Sequence, residues 1–129
     1  MDNVNHPSHY LANSLVIEPI ELTGRLDSCL GQACQYVIRA KDKGSYEEDL
    51  AKAVFFLKKE LSLKGSNAYV FDADVETGDV IRVYKRFYKD GVFKSFLNAL
   101  FPSENLYAEA VTKDSLFNAI QLLEGELCR

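Results

Sequence analysis

The sequence predicts a mainly α-helical protein built around a helical hairpin at about residues 26–63, with an N-terminal arm and C-terminal helices. Apolar residues recur at intervals of three and four along 26–40 and again along 50–61, which is the period of an amphipathic helix. Lys41 to Gly44 separate these stretches with residues typical of a helix end. Of the 129 residues, 47% are hydrophobic and 26% charged, which excludes a wholly disordered chain.

The first 24 residues predict an ordered arm rather than a helix. They are polar and then apolar, and Pro7 and Pro19 interrupt them. No basic region precedes an apolar stretch at the start, so we predict no signal peptide. No apolar run approaches the roughly 18 residues of a membrane span. We therefore expect a cytoplasmic protein with no membrane partner.

The first helix of the hairpin carries its apolar residues on one face: Leu26, Leu30, Ala33, Cys34, Val37 and Ile38. Asp27 or Ser28 is expected to cap it, because short polar side chains accept hydrogen bonds from first-turn amides. Cys29 and Cys34 lie within the apolar stretch, and Cys128 makes the number odd. We predict reduced thiols, with Cys29 and Cys34 as structural residues.

The second helix is the clearest element in the sequence. Ser45 and Glu48 match the S-x-x-E capping box, and Glu47 and Asp49 also suit the positive end of the helix dipole. One apolar stripe follows: Leu50, Ala53, Val54, Leu57 and Leu61.

A boundary is expected at residues 64–67, Lys-Gly-Ser-Asn. Residues 1–64 then form the hairpin domain with its arm, and residues 65–129 form an α-rich extension that packs on it.

The extension begins with a segment that fits two structures. Four residues alternate with polar ones as in a strand: Tyr69, Phe71, Ala73 and Val75. A turn at 76–79 would then lead to a partner strand over 80–87, giving one small β-hairpin after residue 66. A helical stripe also fits this region, and we favour the helix for residues 79–89. Two more helices follow, one stopping at Pro102 and one capped by Thr112.

Charge is distributed unevenly along the chain. The formal net charge of −4 argues against a general duplex-DNA binder, because such domains carry a basic excess. Residues 25–65 nevertheless carry eight basic and six acidic groups, whereas the two ends of the chain are acidic. An anion site is therefore best sought within this block.

The turn of the hairpin is where we expect that anion site. Arg39 and Lys43 end the first helix, and Asp49 and Lys52 begin the second. Arg39 would grip phosphate bidentately and the lysines would act as point charges. Asp49 would orient Arg39 or hold Mg²⁺ through water. The alternative is a solvated helix face with routine ion pairs.

His6 and His9 are the only histidines, three residues apart in N-H-P-S-H-Y. They would fix the arm through hydrogen bonds, or face a bound anion with Tyr10 stacked nearby. A metal site would need Cys29 and Cys34 as further ligands. Because C-x4-C is not a usual zinc spacing, we predict no metal site.

A second basic segment interleaves cations with aromatic residues: Arg82, Tyr84, Lys85, Arg86, Phe87, Tyr88 and Lys89. It is typical of a nucleic-acid strip and also of an amphipathic element whose rings are buried. Given the acidic total, we favour the buried interpretation and expect no nucleic-acid partner.

Several motifs together resemble a small domain widespread in tailed-phage early proteins. They are N-H-P-S-H-Y at 5–10, Ile-Glu at 17–18 and 20–21, L-G-Q-A-C-Q-Y-V-I-R-A-K-D-K at 30–43 and E-E-D-L-A-K-A-V-F-F-L-K-K-E-L at 47–61. The resemblance covers about residues 3–61. Most members of the family are of unknown function, but one class is a coliphage nucleotide kinase that uses ATP without a P-loop. The present chain has no P-loop motif either.

This resemblance implies a phage-encoded nucleotide-binding protein, with dNMP kinase activity, ATP and Mg²⁺ if it is an enzyme. Positions that match the family pattern are His6, Pro7, His9, Tyr10, Gly31, Tyr36, Arg39, Lys43, Asp49, Leu50 and Lys52. Catalytic roles then fall to Asp49 and Arg39. Substrate binding falls to the remaining site candidates: His6, His9, Tyr10, Lys43 and Lys52.

Two departures from the family pattern favour an alternative function. Gln35 stands where the family has Lys, and Gln32 where it has Asn. The loss of one positive charge and the acidic surface suit a non-catalytic counter-defence protein. Such a protein would sequester a nucleotide signal, or bind and inhibit a bacterial immune protein. The aromatic content of 12% also suits a homo-oligomer.

Overall fold

A computed structural model describes residues 18–40, 45–67, 69–88, 90–102 and 109–129. These residues form helices and one two-stranded antiparallel sheet, which confirms the mainly helical prediction. In chain order the elements are α1 (Pro19–Thr23), α2 (Ser28–Ala40), α3 (Tyr46–Lys64), β1 (Tyr69–Asp72), α4 (Val75–Phe87), α5 (Val92–Leu100), β2 (Ala110–Thr112) and α6 (Lys113–Leu127). No helix of the described segments is long and apolar enough to cross a membrane.

Helices α2 and α3 pack against each other as the predicted hairpin, and α3 also packs against α6. Their contact surfaces are apolar and fully buried: Leu30, Ala33, Val37, Leu50, Ala53, Leu57, Leu116, Ala119 and Leu123. Helix α5 adds Phe96 and Leu97 to the same cluster. Residues on both sides of 64–67 therefore share one core.

Two of the predicted helix caps form and one does not. The carboxylate of Asp27 accepts from the Leu30 amide (3.1 Å), as expected for a cap of α2. The side chain of Thr112 accepts from the Ser115 amide and caps α6, also as predicted. The capping box predicted for α3 is wrong: the Ser45 hydroxyl makes no cap bond and instead donates to Asp49 Oδ2 (3.2 Å).

The segment after residue 66 departs from the predicted β-hairpin. Residues 76–79 form no turn, because Asp74 accepts from the Thr77 amide (2.8 Å) and starts α4 at Val75. The favoured helix is confirmed, from 75 to 87. Strand β1 therefore pairs with β2 instead, with Phe71 opposite Val111.

The N-terminal arm is only partly described. Residues 19–23 form helix α1 where the sequence predicted no helix; Pro19 suits a helix start because its missing amide needs no partner there. Residues 1–17, with His6, His9 and Tyr10, lie outside the described residues.

The contact between α1 and α2 depends on Gly31. A Cβ atom at this position would lie 2.7 Å from the backbone carbonyl oxygen of Thr23. The last residue of α1 therefore lies so close to α2 that position 31 has room for glycine only.

A pair of carboxyl groups, Glu60 buried and Asp27 half-buried, lies at the far end of the hairpin from the turn. Glu60 on α3 is 1% exposed, and Lys64 Nζ lies 2.6 Å from Asp27 Oδ2 and 3.4 Å from Glu60 Oε2. Burial and the hydrogen bond to Asp27 raise the pKa of Glu60 to about 7. Burial alone would raise the pKa of Asp27, but hydrogen bonds with Glu60 and Lys64 outweigh it and the pKa is lowered. Two ionised carboxylates cannot form a hydrogen bond with each other. A protonated Glu60 can, because its carboxyl hydrogen is donated to Asp27.

Substituting Gly31 should destabilise the fold. We expect Gly31→Ala to lower the free energy of unfolding by roughly 1–3 kcal/mol, because the methyl group displaces backbone. Gly125→Ala in α6 is the control: its Cβ meets nothing within 4 Å, so helix propensity should raise stability by roughly 0.5–1 kcal/mol. Urea unfolding of both variants measures this. If both variants changed the free energy of unfolding by the same amount, the close approach of Thr23 to Gly31 would be contradicted.

Stability should fall as the pH rises from about 5 to 8. Protonated Glu60 stabilises the fold fully below the ordinary pKa of 4.5, and this contribution is lost as the pH rises through about 7. We expect a loss of roughly 1–3 kcal/mol over this range. Glu60→Gln should remove most of it, because an amide donates to Asp27 without titrating.

Urea unfolding at a series of pH values tests this expectation. Glu47→Gln, an exposed change on the same helix, should leave the pH dependence unaltered. A residual slope in Glu60→Gln is expected from Glu109, whose pKa burial also raises. A full slope in Glu60→Gln would contradict the assignment.

Candidate functional site

An exposed arginine held by a buried carboxylate marks the predicted turn of the hairpin. Arg39 Nη2 on α2 lies 3.7 Å from Asp49 Oδ1 on α3. The Arg39 side chain is 53% exposed, whereas Asp49 is 1% exposed. Ser45 donates to the other oxygen of Asp49. Because a buried carboxylate needs compensating partners, this ion pair favours a guanidinium position beside Asp49 and still leaves it open to solvent. Among the described residues, Asp49 Oδ1 has no hydrogen-bond partner.

Tyr36 lies beside two cations. The guanidinium carbon of Arg39 is 5.3 Å from the ring centre, and Lys52 Nζ is 5.5 Å from it. Both distances fall within the range of cation–π attraction. The ring also stacks on Phe56, with centroids 6.0 Å apart and planes 12° from parallel. The result is a fixed aromatic surface flanked by positive charge.

A groove of about 280 Å³ adjoins this surface on α2. It is lined by Pro19, Gln32, Gln35, Tyr36, Ile38 and Arg39. Gln35 Nε2 donates to Thr23 Oγ1 (3.3 Å), which restrains one of the two amides. Apolar walls with a few amide groups are typical of a small-ligand site, and this volume suits part of a nucleotide.

The structure brings together three of the seven predicted site residues: Arg39, Asp49 and Lys52. The other four, His6, His9, Tyr10 and Lys43, lie outside the described residues, so their roles stay predictions.

Tyr36 and Phe56 were not predicted as site residues. Helical spacing would have indicated both, because Tyr36 precedes Arg39 by three positions and Phe56 follows Lys52 by four, so each shares a helix face with a predicted residue.

Part of the second basic segment, which begins at Arg82, faces the interior of the protein. Arg82 Nη1 and Lys85 Nζ lie 3.6 and 3.8 Å from the carboxylate of Glu109, which is 1% exposed. Lys85 also donates to the carbonyl oxygen of Phe101 (2.6 Å), and Tyr84 is 4% exposed. These groups hold β2 and α5 against α4. Of the rings that the favoured interpretation placed in the interior, Tyr84 is buried but Phe87 is 38% exposed, so that interpretation is confirmed only in part.

The cysteines have the properties of structural thiols. Burial raises the pKa of Cys34 to about 12, and burial with the charges of Glu60 and Asp27 raises the pKa of half-buried Cys29. High pKa values keep both thiols protonated and weakly reactive. Among the residues with described positions, no three or more His, Cys, Asp or Glu side chains are grouped to hold a metal ion.

Comparison with protein families gives one result. Residues 4–58 match the family model described as Protein of unknown function (DUF3310). This DUF3310 segment contains every predicted site residue and the whole Arg39–Asp49–Tyr36–Lys52 arrangement, and it ends two positions before Glu60. Neither the curated proteins nor the solved structures gave a match to the chain.

Proposed function

We propose that the protein binds nucleotides at the site formed by Tyr36, Arg39, Lys52 and the adjoining groove. One observation carries this proposal: Arg39 is held by the buried carboxylate of Asp49 while half of its side chain remains exposed. A restrained guanidinium loses little conformational freedom when it binds phosphate, so more of the contact energy contributes to affinity.

Each part of the site suits one part of a nucleotide. Arg39 and Lys52 lie close enough to one ring to share a phosphate group. The amides of Gln32 and Gln35 in the groove both donate and accept hydrogen bonds, as recognition of a base edge requires. The groove and the cations meet at Tyr36 and Arg39, so base and phosphate would be bound together.

The resemblance to tailed-phage early proteins supports a phage origin for the protein. Its motifs at 5–10, 30–43 and 47–61 include Tyr36, Arg39, Asp49 and Lys52. We propose that the protein is phage-encoded and acts on the nucleotides of the bacterial host cytoplasm.

Binding without phosphoryl transfer fits this geometry better than catalysis. A catalytic carboxylate must reach the substrate or its Mg²⁺, but Asp49 is 1% exposed and its two oxygens face Arg39 and Ser45. In this position Asp49 supports the guanidinium rather than a metal ion. Sequestration of a nucleotide is thus favoured over the kinase that the resemblance implies.

Lys52→Ala should weaken nucleotide binding about tenfold, because a charge-assisted phosphate contact is lost. Isothermal titration with dNMPs, NMPs and cyclic nucleotides, each with and without Mg²⁺, measures the change. Lys58→Ala is the matched control: this lysine lies on the same helix but pairs with Glu124 of α6 (2.9 Å). We expect Lys58→Ala to bind as the unmodified protein does.

Failure of every nucleotide to bind would contradict the proposal. Equal losses in Lys52→Ala and Lys58→Ala would also contradict it. Thermal melts of both variants establish that each is folded before titration.

Incubation with ATP, Mg²⁺ and each dNMP should yield no dNDP, since Asp49 does not reach the bound phosphate. Chromatography of the nucleotides is the measurement. Formation of dNDP by the protein, with loss of that product in Asp49→Asn, would overturn this expectation and assign Asp49 as catalytic.

A further inference from the structure

The cationic and aromatic surface of α3 extends beyond the proposed nucleotide site. Lys52, Phe56 and Lys59 follow one another at intervals of four and three, so they lie on one flank of the helix. The α-carbons of the two lysines are about 10 Å apart along the axis at 1.5 Å per residue. Lys59 is exposed, one turn after Phe56 on the same flank of α3.

Phe55 adds an exposed ring next to this flank. It is 61% exposed, and its ring meets Phe56 edge to face with centroids 5.3 Å apart. Phe56 in turn stacks on Tyr36. A continuous series of rings therefore runs from the nucleotide site to the outer side of α3. We call Tyr36, Arg39, Lys52, Phe55, Phe56 and Lys59 the hairpin face.

The hairpin face is positive although the chain is acidic. Within the described part of the chain, neither Lys52 nor Lys59 has a carboxylate partner, whereas Lys58 pairs with Glu124 and Lys64 with Asp27. Asp49 is paired with Arg39, and Glu60 with Asp27. Glu48, one turn before Lys52, is the exposed carboxylate nearest to this flank in the sequence.

We propose that the hairpin face binds a single-stranded oligonucleotide, with Arg39, Lys52 and Lys59 contacting its phosphates and the exposed ring of Phe55 stacking on a base. This deepens the proposed function and rests on it, because the nucleotide site is one end of the face. Cations that follow a backbone, interleaved with accessible rings, are the features by which proteins bind single strands without sequence preference. A duplex keeps its base faces stacked and offers these rings no surface.

Fluorescence anisotropy with labelled oligothymidylates of two, four and eight nucleotides tests the proposal at low salt. We expect affinity to rise with length above that of dTMP and to fall with added salt. Lys59→Ala should weaken octanucleotide binding about three- to tenfold and leave dTMP binding unchanged. It should also lower the slope of log affinity against log salt by about 0.7, the value for one phosphate on a single strand.

Two matched controls keep the test specific to the hairpin face. Lys58→Ala should bind the octanucleotide normally, because Lys58 faces α6. Phe55→Ala should weaken binding, whereas Phe117→Ala should not, although Phe117 on α6 is also 50% exposed. Glu48→Gln should strengthen oligonucleotide binding by removing a like charge from the end of the face.

The possible results separate this proposal from the nucleotide site itself. Equal affinity for dTMP and the octanucleotide, or no effect of Lys59→Ala, would overturn the extended face and leave the nucleotide site standing. No binding of either ligand would overturn both. An octaglutamate peptide that binds as tightly as the octanucleotide, with the same loss in Lys59→Ala, would overturn the stacking on bases.

Discussion

Two carboxylates buried along one helix determine how the hairpin is assembled. Asp49 and Glu60 are each 1% exposed and lie eleven residues apart on α3, about 16 Å along its axis. A buried carboxylate is costly unless it is paired or protonated. Asp49 meets Arg39 near the end of α2, and Glu60 meets Asp27 just before its start. A shift of α2 along α3 would separate both pairs at once. Each pair therefore favours the same alignment of the two helices.

The two carboxylates are accommodated by different means, and the site depends on the difference. Asp49 is compensated by a cation, which places a restrained guanidinium at the surface beside Tyr36. Glu60 is compensated largely by a proton, because burial and Asp27 raise its pKa to about 7. The turn end of the hairpin thus presents a cation that offsets a buried carboxylate, whereas at the other end the buried carboxyl of Glu60 is offset by its own proton. Core packing by α6 then holds α3 in place, and Lys52, Phe55 and Lys59 of the hairpin face stay exposed.

Sequence reasoning succeeded wherever one periodic apolar stripe decided the structure. Helices α2, α3, α5 and α6 each carry such a stripe, and each was predicted near its observed bounds. It left two structures open where two local signals competed. The composition of residues 76–79 suits a turn, but the carboxylate of Asp74 accepts from the Thr77 amide and begins a helix there. The partner of β1 lies about forty residues further along the chain, where a three-residue strand has no pattern to detect.

The charge of the site could be predicted only in part, since a summed charge does not reveal which groups are neutralised. Arg39 and Asp49 were predicted to meet at the turn, with Asp49 either orienting Arg39 or holding Mg²⁺ through water, and the structure pairs Asp49 with Arg39. Lys58 and Lys59 are chemically identical neighbours, yet Lys58 pairs with Glu124 of α6 while Lys59 is exposed and has no ion pair within the described part of the chain. One helical position, about 100° of rotation, separates a structural ion pair from a cation available to a ligand. That assignment requires knowing which helix packs on each side of α3, and this is tertiary information. A protein with a net charge of −4 can therefore present a positive face, because Asp49 and Glu60 of α3 are buried and its exposed Glu47 and Glu48 lie in the first turn of the helix.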